Sequence, residues 1–423
     1  MSVQTSRFSF SALCGSLVII LIFALPRIAT AQAQLLLIYD QHQSAFFGAC
    51  NSLFAHRAVY SFQDRYLPLK IGKEDRFITK AGGIGYRAGK LFLLDAQEDF
   101  LISLIQHEAF GHAARYREFG SRDNYIRINL GFPFGNGTGS ASPGQIISNY
   151  TPHKNIATGI AGVEANGVIA STLIARFLLR DSIHYSEALL YLITQNDQLL
   201  YTWVDRYRGS LAGRDMYGYV NKLNNTYSPS EDSYTIERMS VQSLVSVVNP
   251  VQFYSMFAIA YNYLWKGESH LPHIPMIRIG EVRYLPYFSF GLSPFGSEYI
   301  WSNAVKYDKH LLIAEIGMSE GTFDNTFRFR LKAFNVISRP AIAVNIHAEN
   351  WSQPELKLEY NATVDTRKHL GGLVKCDVMY SPIRSSRKFS LFVQAGYKTK
   401  GFTAGEALAE TFILRYGLCL RMN

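Results

Sequence analysis

From about Met276 to the end of the chain, apolar residues recur at every second position, a period that only a strand turns into a continuous face. Phe327, Phe329, Leu331 and Ala333 alternate with Arg328, Arg330 and Lys332. Ile342, Val344, Ile346 and Ala348 alternate with Ala343, Asn345, His347 and Glu349. Leu356, Leu358, Tyr360, Ala362 and Val364 make a third stripe. Phe389, Leu391, Val393, Ala395 and Tyr397 make a fourth, and Phe412, Leu414, Tyr416, Leu418, Leu420 and Met422 a fifth. Each runs about nine to eleven residues, the length at which a tilted strand crosses a bilayer. A soluble sandwich also alternates, but turns its polar face to water. Strand length, tyrosines at stripe ends, short turns, the terminal position of the last stripe and an N-terminal secretion signal favour the membrane barrel. In a barrel Arg328, Arg330 and Lys332 face the lumen, where Glu315, Glu355 and Glu359 can neutralise them.

In these features the C-terminal part resembles outer-membrane β-barrel proteins, which implies a closed antiparallel barrel anchored in a bilayer. About eight strands fit between residues 276 and 422, the number of a small closed barrel. Such barrels typically end on an aromatic residue, and this chain ends Met422-Asn423.

The N-terminus carries the marks of a secretory signal: Arg7, an apolar run from Leu13 to Leu25, and the small-x-small site Ala29-Thr30-Ala31. The run is short for a span, and an uncleaved anchor is the alternative. Cys14 precedes most of that run, which is no place for a lipoprotein cleavage site. Loss of residues 1–31 removes Arg7 and Arg27 and lowers the formal charge from +9 to +7. No nucleic-acid motif accompanies the basic excess; lipopolysaccharide or lipid headgroups suit it better. Cys50, Cys376 and Cys419 remain, an odd and widely spaced set that gives neither a disulfide framework nor a cysteine metal site.

Ahead of the strands the period is helical. Residues 96–205 read as helices interrupted by a glycine-rich loop from Gly131 to Gly139, with one helix over 185–204. Residues 206–236 are polar and read as an exposed loop. Residues 240–265 are apolar, and Asn249-Pro250 splits them into two short buried helices or one kinked helix. Residues 32–95 give no clear pattern; Ala81-Gly82-Gly83-Ile84-Gly85-Tyr86 reads as a turn or a membrane-facing bend.

His107-Glu108-Ala109-Phe110-Gly111-His112 lies in the first of these helices, which has an acidic start at Asp95-Ala96-Gln97-Glu98-Asp99 and a plausible stop at Gly120. Two imidazoles flanking a carboxylate are the minimum kit for holding zinc and activating a water beside it. In an ideal α-helix, residues five apart differ by roughly 140° in direction, so His107 and His112 share a face only where the helix widens into a π turn. Gly111 adds no crowding there. Burying these groups unpartnered would cost about one to a few kcal/mol each.

The hexapeptide resembles the His-Glu-x-x-Gly-His site of dipeptidyl-peptidase III type zinc metallopeptidases. The resemblance implies Zn2+ held by His107 and His112, a downstream Glu as third ligand, and Glu108 polarising the attacking water. It spans six residues. Glu164, alone in the apolar segment Ile156–Leu179, is the candidate third ligand, with Asn166 as a partner for a ligand imidazole. Pairing of Glu164 with a cation such as Arg176 is the competing role, and His153, Asp95 and Asp123 are alternative ligands. Tyr217 and Tyr219 are placed to meet an oxyanion, or simply to pack.

The expected fold class is α+β: a signal (1–31), a mostly helical metal-site domain (32–270) and an antiparallel β domain (271–423) forming an outer-membrane barrel. The expected function is a membrane-anchored zinc hydrolase, a metallopeptidase with catalytic Glu108 and metal ligands His107, His112 and Glu164. Two alternatives stand beside it: a non-enzymatic barrel or binding protein with a structural metal or none, and a membrane-associated lipid or ester hydrolase. The expected partners are the membrane and an extracytoplasmic substrate, with periplasm or cell surface as alternative locations.

Overall fold

The computed structural model describes residues 33–70, 76–135, 137–147, 149–208, 215–227, 234–321, 326–359, 366–382 and 389–422. The expected signal, 1–31, lies outside them. Strand β1 (Ala33–Asp40) leads into helix α1 (Ala45–Tyr66), which starts where the Ser44 hydroxyl accepts the Phe47 N–H. A long helical run follows: α2 (Phe77–Lys90), a π turn (Leu91–Asp95), α3 (Ala96–His107), a second π turn (Glu108–His112) and α4 (Ala113–Glu118). Gly120, at φ +96°, takes the left-handed conformation just beyond its end.

A hairpin of β2 (Tyr125–Ile128) and β3 (Gly139–Ser142) brackets the glycine-rich loop. Helix α5 (Pro152–Arg180) begins with a Thr151 cap and a proline at its first position. Short β4 (Ile183–His184) precedes α6 (Tyr185–Arg208), α7 (Asp215–Tyr227), α8 (Ile236–Ser243) and α9 (Pro250–Phe257), whose last turns widen over Ala258–Lys266. The segment before α9 bends by 61° at Asn249-Pro250, as the proline requires, and the Asn249 side chain caps the new helix. β5 (His270–Leu271) pairs with β4.

The remaining strands are β6 (Ile277–Ile279), β7 (Val282–Ser293), β8 (Gly296–Tyr307), β9 (His310–Gly321), β10 (Thr326–Ser338), β11 (Ile342–Pro354), β12 (Lys368–Tyr380), β13 (Phe389–Lys398) and β14 (Thr411–Met422). Together with β1 they form one antiparallel ten-stranded sheet in the order β1-β14-β13-β12-β11-β10-β9-β8-β7-β6. The first described strand thus pairs with the last, Leu35 opposite Leu420. The sheet is open: among the described residues β1 and β6 are its edges, and the ring expected of a closed barrel is not made. β6, only three residues long, leaves little backbone with which to close it.

The sheet's polarity is inverted relative to a soluble sandwich. Phe327, Phe329, Leu391, Val393, Phe412, Leu414 and Tyr416 point outward and are exposed, whereas Arg328, Glu315, Glu349, Gln394 and Arg415 are buried on the inner face. Arg330 stands directly opposite Glu315 on one side and Glu349 on the other, and bonds both at 2.9 and 2.7 Å. Lys332 also meets Glu315, at 2.8 Å, while Arg328 meets Glu298. Pairing at this density is what buried charge demands. Glu315 takes its expected place, but Glu355 pairs with Lys357 and Lys400 beyond β11, and Glu359 is exposed outside the strands.

Helix α5 lies against this inner face. The Lys306 ammonium of β8 donates to the Leu178 and Leu179 carbonyls at 2.6 and 2.9 Å, neutralising the negative end of the helix. Leu53, Leu173, Phe177, Tyr191, Tyr287 and Ile313 join α1, α5, α6 and the sheet in one core. A cavity of about 660 Å³ remains between α5, α6 and the charged strands.

Several local readings differ from the sequence pattern. The Ala81–Tyr86 segment is helical, within α2, and Asp95 is no cap but the last residue of a π turn, bonded to Lys90. Of the third stripe, Tyr360, Ala362 and Val364 lie outside the described residues; Leu356 and Leu358 are outside β structure, and Leu356 is buried instead. Pro354, which has no N–H to donate, closes β11 just before it, and the next strand is β12.

Candidate metal centre

His107, Glu108 and His112 are all buried. The π turn over Glu108–His112 does what the five-residue spacing requires: i→i+5 bonding sets the two imidazoles side by side, with ring centroids 5.0 Å apart. Gly111 is needed for a further reason. A Cβ there would lie 2.5 Å from the Ala161 carbonyl oxygen and 2.7 Å from the Gly162 Cα, so it permits backbone-to-backbone contact with α5. Gly162 in turn leaves room for His107, whose Nε2 stands 2.2 Å from where a Cβ would be.

The third group is Asp215, the first residue of α7. Its Oδ2 lies 3.2 Å from His107 Nε2 and 3.3 Å from His112 Nε2, and the two Nε2 atoms are 3.2 Å apart. These distances outline a nearly equilateral triangle. An ion at the centre of a tetrahedron with such edges would sit about 2.0 Å from each corner, within the range for zinc with nitrogen and oxygen ligands. His107, His112 and Asp215 therefore form a buried group that could hold a metal ion, and no fourth His, Cys, Asp or Glu joins it among the described residues.

The outer nitrogens of both rings are engaged. His112 Nδ1 meets the Thr158 carbonyl at 2.7 Å, which makes it the donor and leaves Nε2 with its lone pair toward the triangle. His107 Nδ1 meets Asp197 at 3.3 Å, and the Asn166 amide donates to that same carboxylate oxygen at 2.8 Å. Asn166 thus supports the imidazole through Asp197 and not directly. The Tyr201 ring stacks on His107, with centroids 5.2 Å apart. Burial opposes a charge on His107, but Asp197 and Asp215 outweigh it and hold its pKa well above 6.5. Burial would likewise raise Asp215, yet the two imidazoles keep it ionised and its pKa lowered.

Glu108 is covered by β3: a Cβ at Gly139 would lie 2.6 Å from its Oε1, and its buried Oε2 has no hydrogen-bond partner among the described residues. Burial raises its pKa, while His107 and His112 pull it back. A carboxylate oxygen without a partner costs about 1–3 kcal/mol unless something else engages it.

Glu164 is not part of this group. Its carboxylate is clamped by the Arg115 guanidinium at 2.7 and 2.9 Å and by the Gly405 N–H at 2.8 Å. It belongs to the contact between α4, α5 and the loop before β14, and its cation is Arg115 and not Arg176, which pairs with Glu187. Asp95 binds Lys90, and His153 binds Tyr227 and the Lys357 N–H. The Tyr219 hydroxyl donates to the Ser293 carbonyl in the core, far from an oxyanion role. Asp215 carries no local signal in the sequence, since 206–236 is polar enough to read as a loop. Met216, Tyr219, Val220 and Leu223, spaced as one buried helical stripe, are the signal that marks α7.

No family model, curated protein or solved structure matches the chain.

Proposed function

We propose that the protein is a zinc-dependent hydrolase, most simply a peptidase, attached to an outer membrane through the apolar outer face of its sheet. The observation that carries the reading is the triangle of His107, His112 and Asp215, together with a buried Glu108 that has one unpartnered oxygen and feels the charge of all three. Two imidazoles and one carboxylate suit zinc, and three ligands leave a fourth position for water. Bound zinc would supply Lewis acidity toward the water and the scissile carbonyl. With the ion in place, Glu108 would serve as the general base for the attacking water and as the acid for the leaving amine. Asp197 and the Thr158 carbonyl engage the Nδ1 atoms of the two imidazoles, so that an ion displacing the His107 proton would meet both Nε2 atoms.

The membrane reading is supported by the exposed aromatic and aliphatic stripes outside the sheet and by its paired charges within. An outward belt of this kind is the pattern of strands that face lipid.

The test uses the full chain, expressed with its leader in a Gram-negative host. Wild type should resist alkaline extraction from outer-membrane fragments and, once solubilised, hold one zinc and cleave peptides. Glu108→Gln should hold the same zinc and lose hydrolysis by about 100-fold or more. Protein that carries no metal, or a Glu108→Gln variant with unchanged turnover, ends the hydrolase reading. Release by alkali ends the membrane reading.

A further inference from the structure

Lys222 is a cation left over beside the candidate metal centre. It lies on α7, seven residues after Asp215, so the two share a face of that helix. Its stem runs back along α5. The ammonium nitrogen is 3.3 Å, and Cδ 3.8 Å, from where a Cβ of Gly159 would be. Gly162, one turn further along α5, is where His107 Nε2 sits. The ammonium and the His107 nitrogen therefore occupy successive glycine notches of one helix, roughly 4.5 Å apart along its axis. The carbonyl of Thr158, next to the first notch, holds His112.

Lys222 is only partly exposed, and no carboxylate lies within ion-pair distance of its ammonium among the described residues. Arg330, Lys332 and Lys375 on the sheet's inner face, by contrast, are matched with acids at 2.7 to 2.9 Å. Burial disfavours its charge and Asp215 favours it, with burial prevailing and the pKa lowered. A cation held near a metal position, partly stripped of water and in ion-pair contact with no carboxylate among the described residues, is suited to take its anion from a ligand.

We propose that Lys222 is a specificity residue that binds a carboxylate on the substrate about one residue from the bond cleaved. The inference rests on the hydrolase reading and narrows it to substrates with an acidic group beside the scissile carbonyl. The free C-terminal carboxylate of a peptide and an acidic side chain share this chemistry. Parallel peptides with a free C-terminus, an amidated C-terminus, or an internal Asp distinguish them by their KM.

The decisive experiment does not depend on turnover. The full-length protein is loaded with Co2+, and two hydroxamates are titrated against its visible spectrum. Acetohydroxamate can seat only on the metal, whereas succinic monohydroxamate adds a carboxylate that reaches past it. Wild type should bind the carboxylate-bearing compound about tenfold or more tightly than acetohydroxamate, the worth of one charge-assisted hydrogen bond. Lys222→Met should abolish that preference and leave acetohydroxamate affinity unchanged, which also reports that the variant is folded; Lys222→Arg should keep most of it. Equal affinities in wild type, or a preference that survives Lys222→Met, overturn the inference alone. A wild-type protein that takes up no cobalt overturns the metal reading, and this inference with it.

Discussion

Replacing Gly111 by Ala separates two roles for that glycine, because they predict opposite signs. If Gly111 served only to relax the π turn, alanine would gain about 1 kcal/mol of helix propensity and lose little. The structure places the backbone of α5 where the new methyl would go. Its Cβ would lie 2.5 Å from the Ala161 oxygen, 2.7 Å from the Gly162 Cα and 2.8 Å from the Ala161 carbonyl carbon. Backbone cannot rotate aside, so the motif helix and α5 must part by about 1 Å to restore ordinary contact. Overpacking of this kind costs about 1–3 kcal/mol. The same retreat stretches the 2.7 Å bond from His112 to the Thr158 carbonyl, for about 1 kcal/mol more. The net expectation is a loss of about 1–3 kcal/mol in equilibrium unfolding in detergent. Zinc affinity, read by competition with a chromogenic chelator, should fall about tenfold or more, as when a ligand's supporting bond is lost. Gly82 is the control: nothing lies within 4 Å of its added Cβ, so Gly82→Ala should be neutral or slightly stabilising. A Gly111→Ala protein as stable as wild type, with unchanged zinc affinity, would refute the close-approach reasoning.

Two further outcomes follow from the contacts. Asp215→Ala should weaken zinc binding at least about 100-fold, while Glu164→Ala should bind zinc normally but unfold more easily by about 3 kcal/mol, because it strands buried Arg115; the reverse pattern in metal analysis would make Glu164 the ligand. His153 is fully buried with its pKa pushed from 6.5 down to about 4, by burial first and then by the cations Lys357 and Lys400. The folded pKa is depressed, so the unfolded chain takes up the proton first. The stability due to neutral His153 is complete above pH 6.5 and is lost as pH falls toward 4, by about 3 kcal/mol in all. His153→Gln should flatten the stability profile in that window, and an unchanged slope would count against this.

The sequence was most legible where one short-range rule governs several residues together. The five-residue gap between His107 and His112 can face one way only through a widened turn, and the π turn is there. The period-two stripes found β10, β11, β13 and β14 because exposed apolar side chains alternate on them with the residues that carry the inner-face charges, even though Phe392 and Ile413 also point inward. The rule fails on β12, where Leu373 and Met379 point inward with Lys375 and Asp377, so that apolar residues lie on both faces. It also misled at Leu356, which is buried without being in a strand. Glu164 reads as a ligand because sequence shows that a lone buried acid needs a partner, but not which one; Arg115, on the neighbouring α4, is that partner. Asp215 lies more than 100 residues from the motif, and no local pattern connects a helix start to a distant pair of imidazoles.

What local patterns could not show is how the site is cleared. Glycines from three separate elements vacate the space that the motif occupies. Gly111 admits the α5 backbone, Gly162 admits the His107 imidazole, and Gly139 admits the Glu108 carboxylate. Each notch would be filled by a single methyl group, so the two imidazoles and the carboxylate are positioned by contact on several sides before any ion binds. Rigid support of this sort is what a catalytic metal position requires, since ligands must hold their geometry while the fourth corner exchanges water and substrate. A purely structural site would not need that arrangement, because four protein ligands would fix it. The three notches, together with a triangle lacking a fourth protein donor among the described residues, therefore favour a working centre over a structural one.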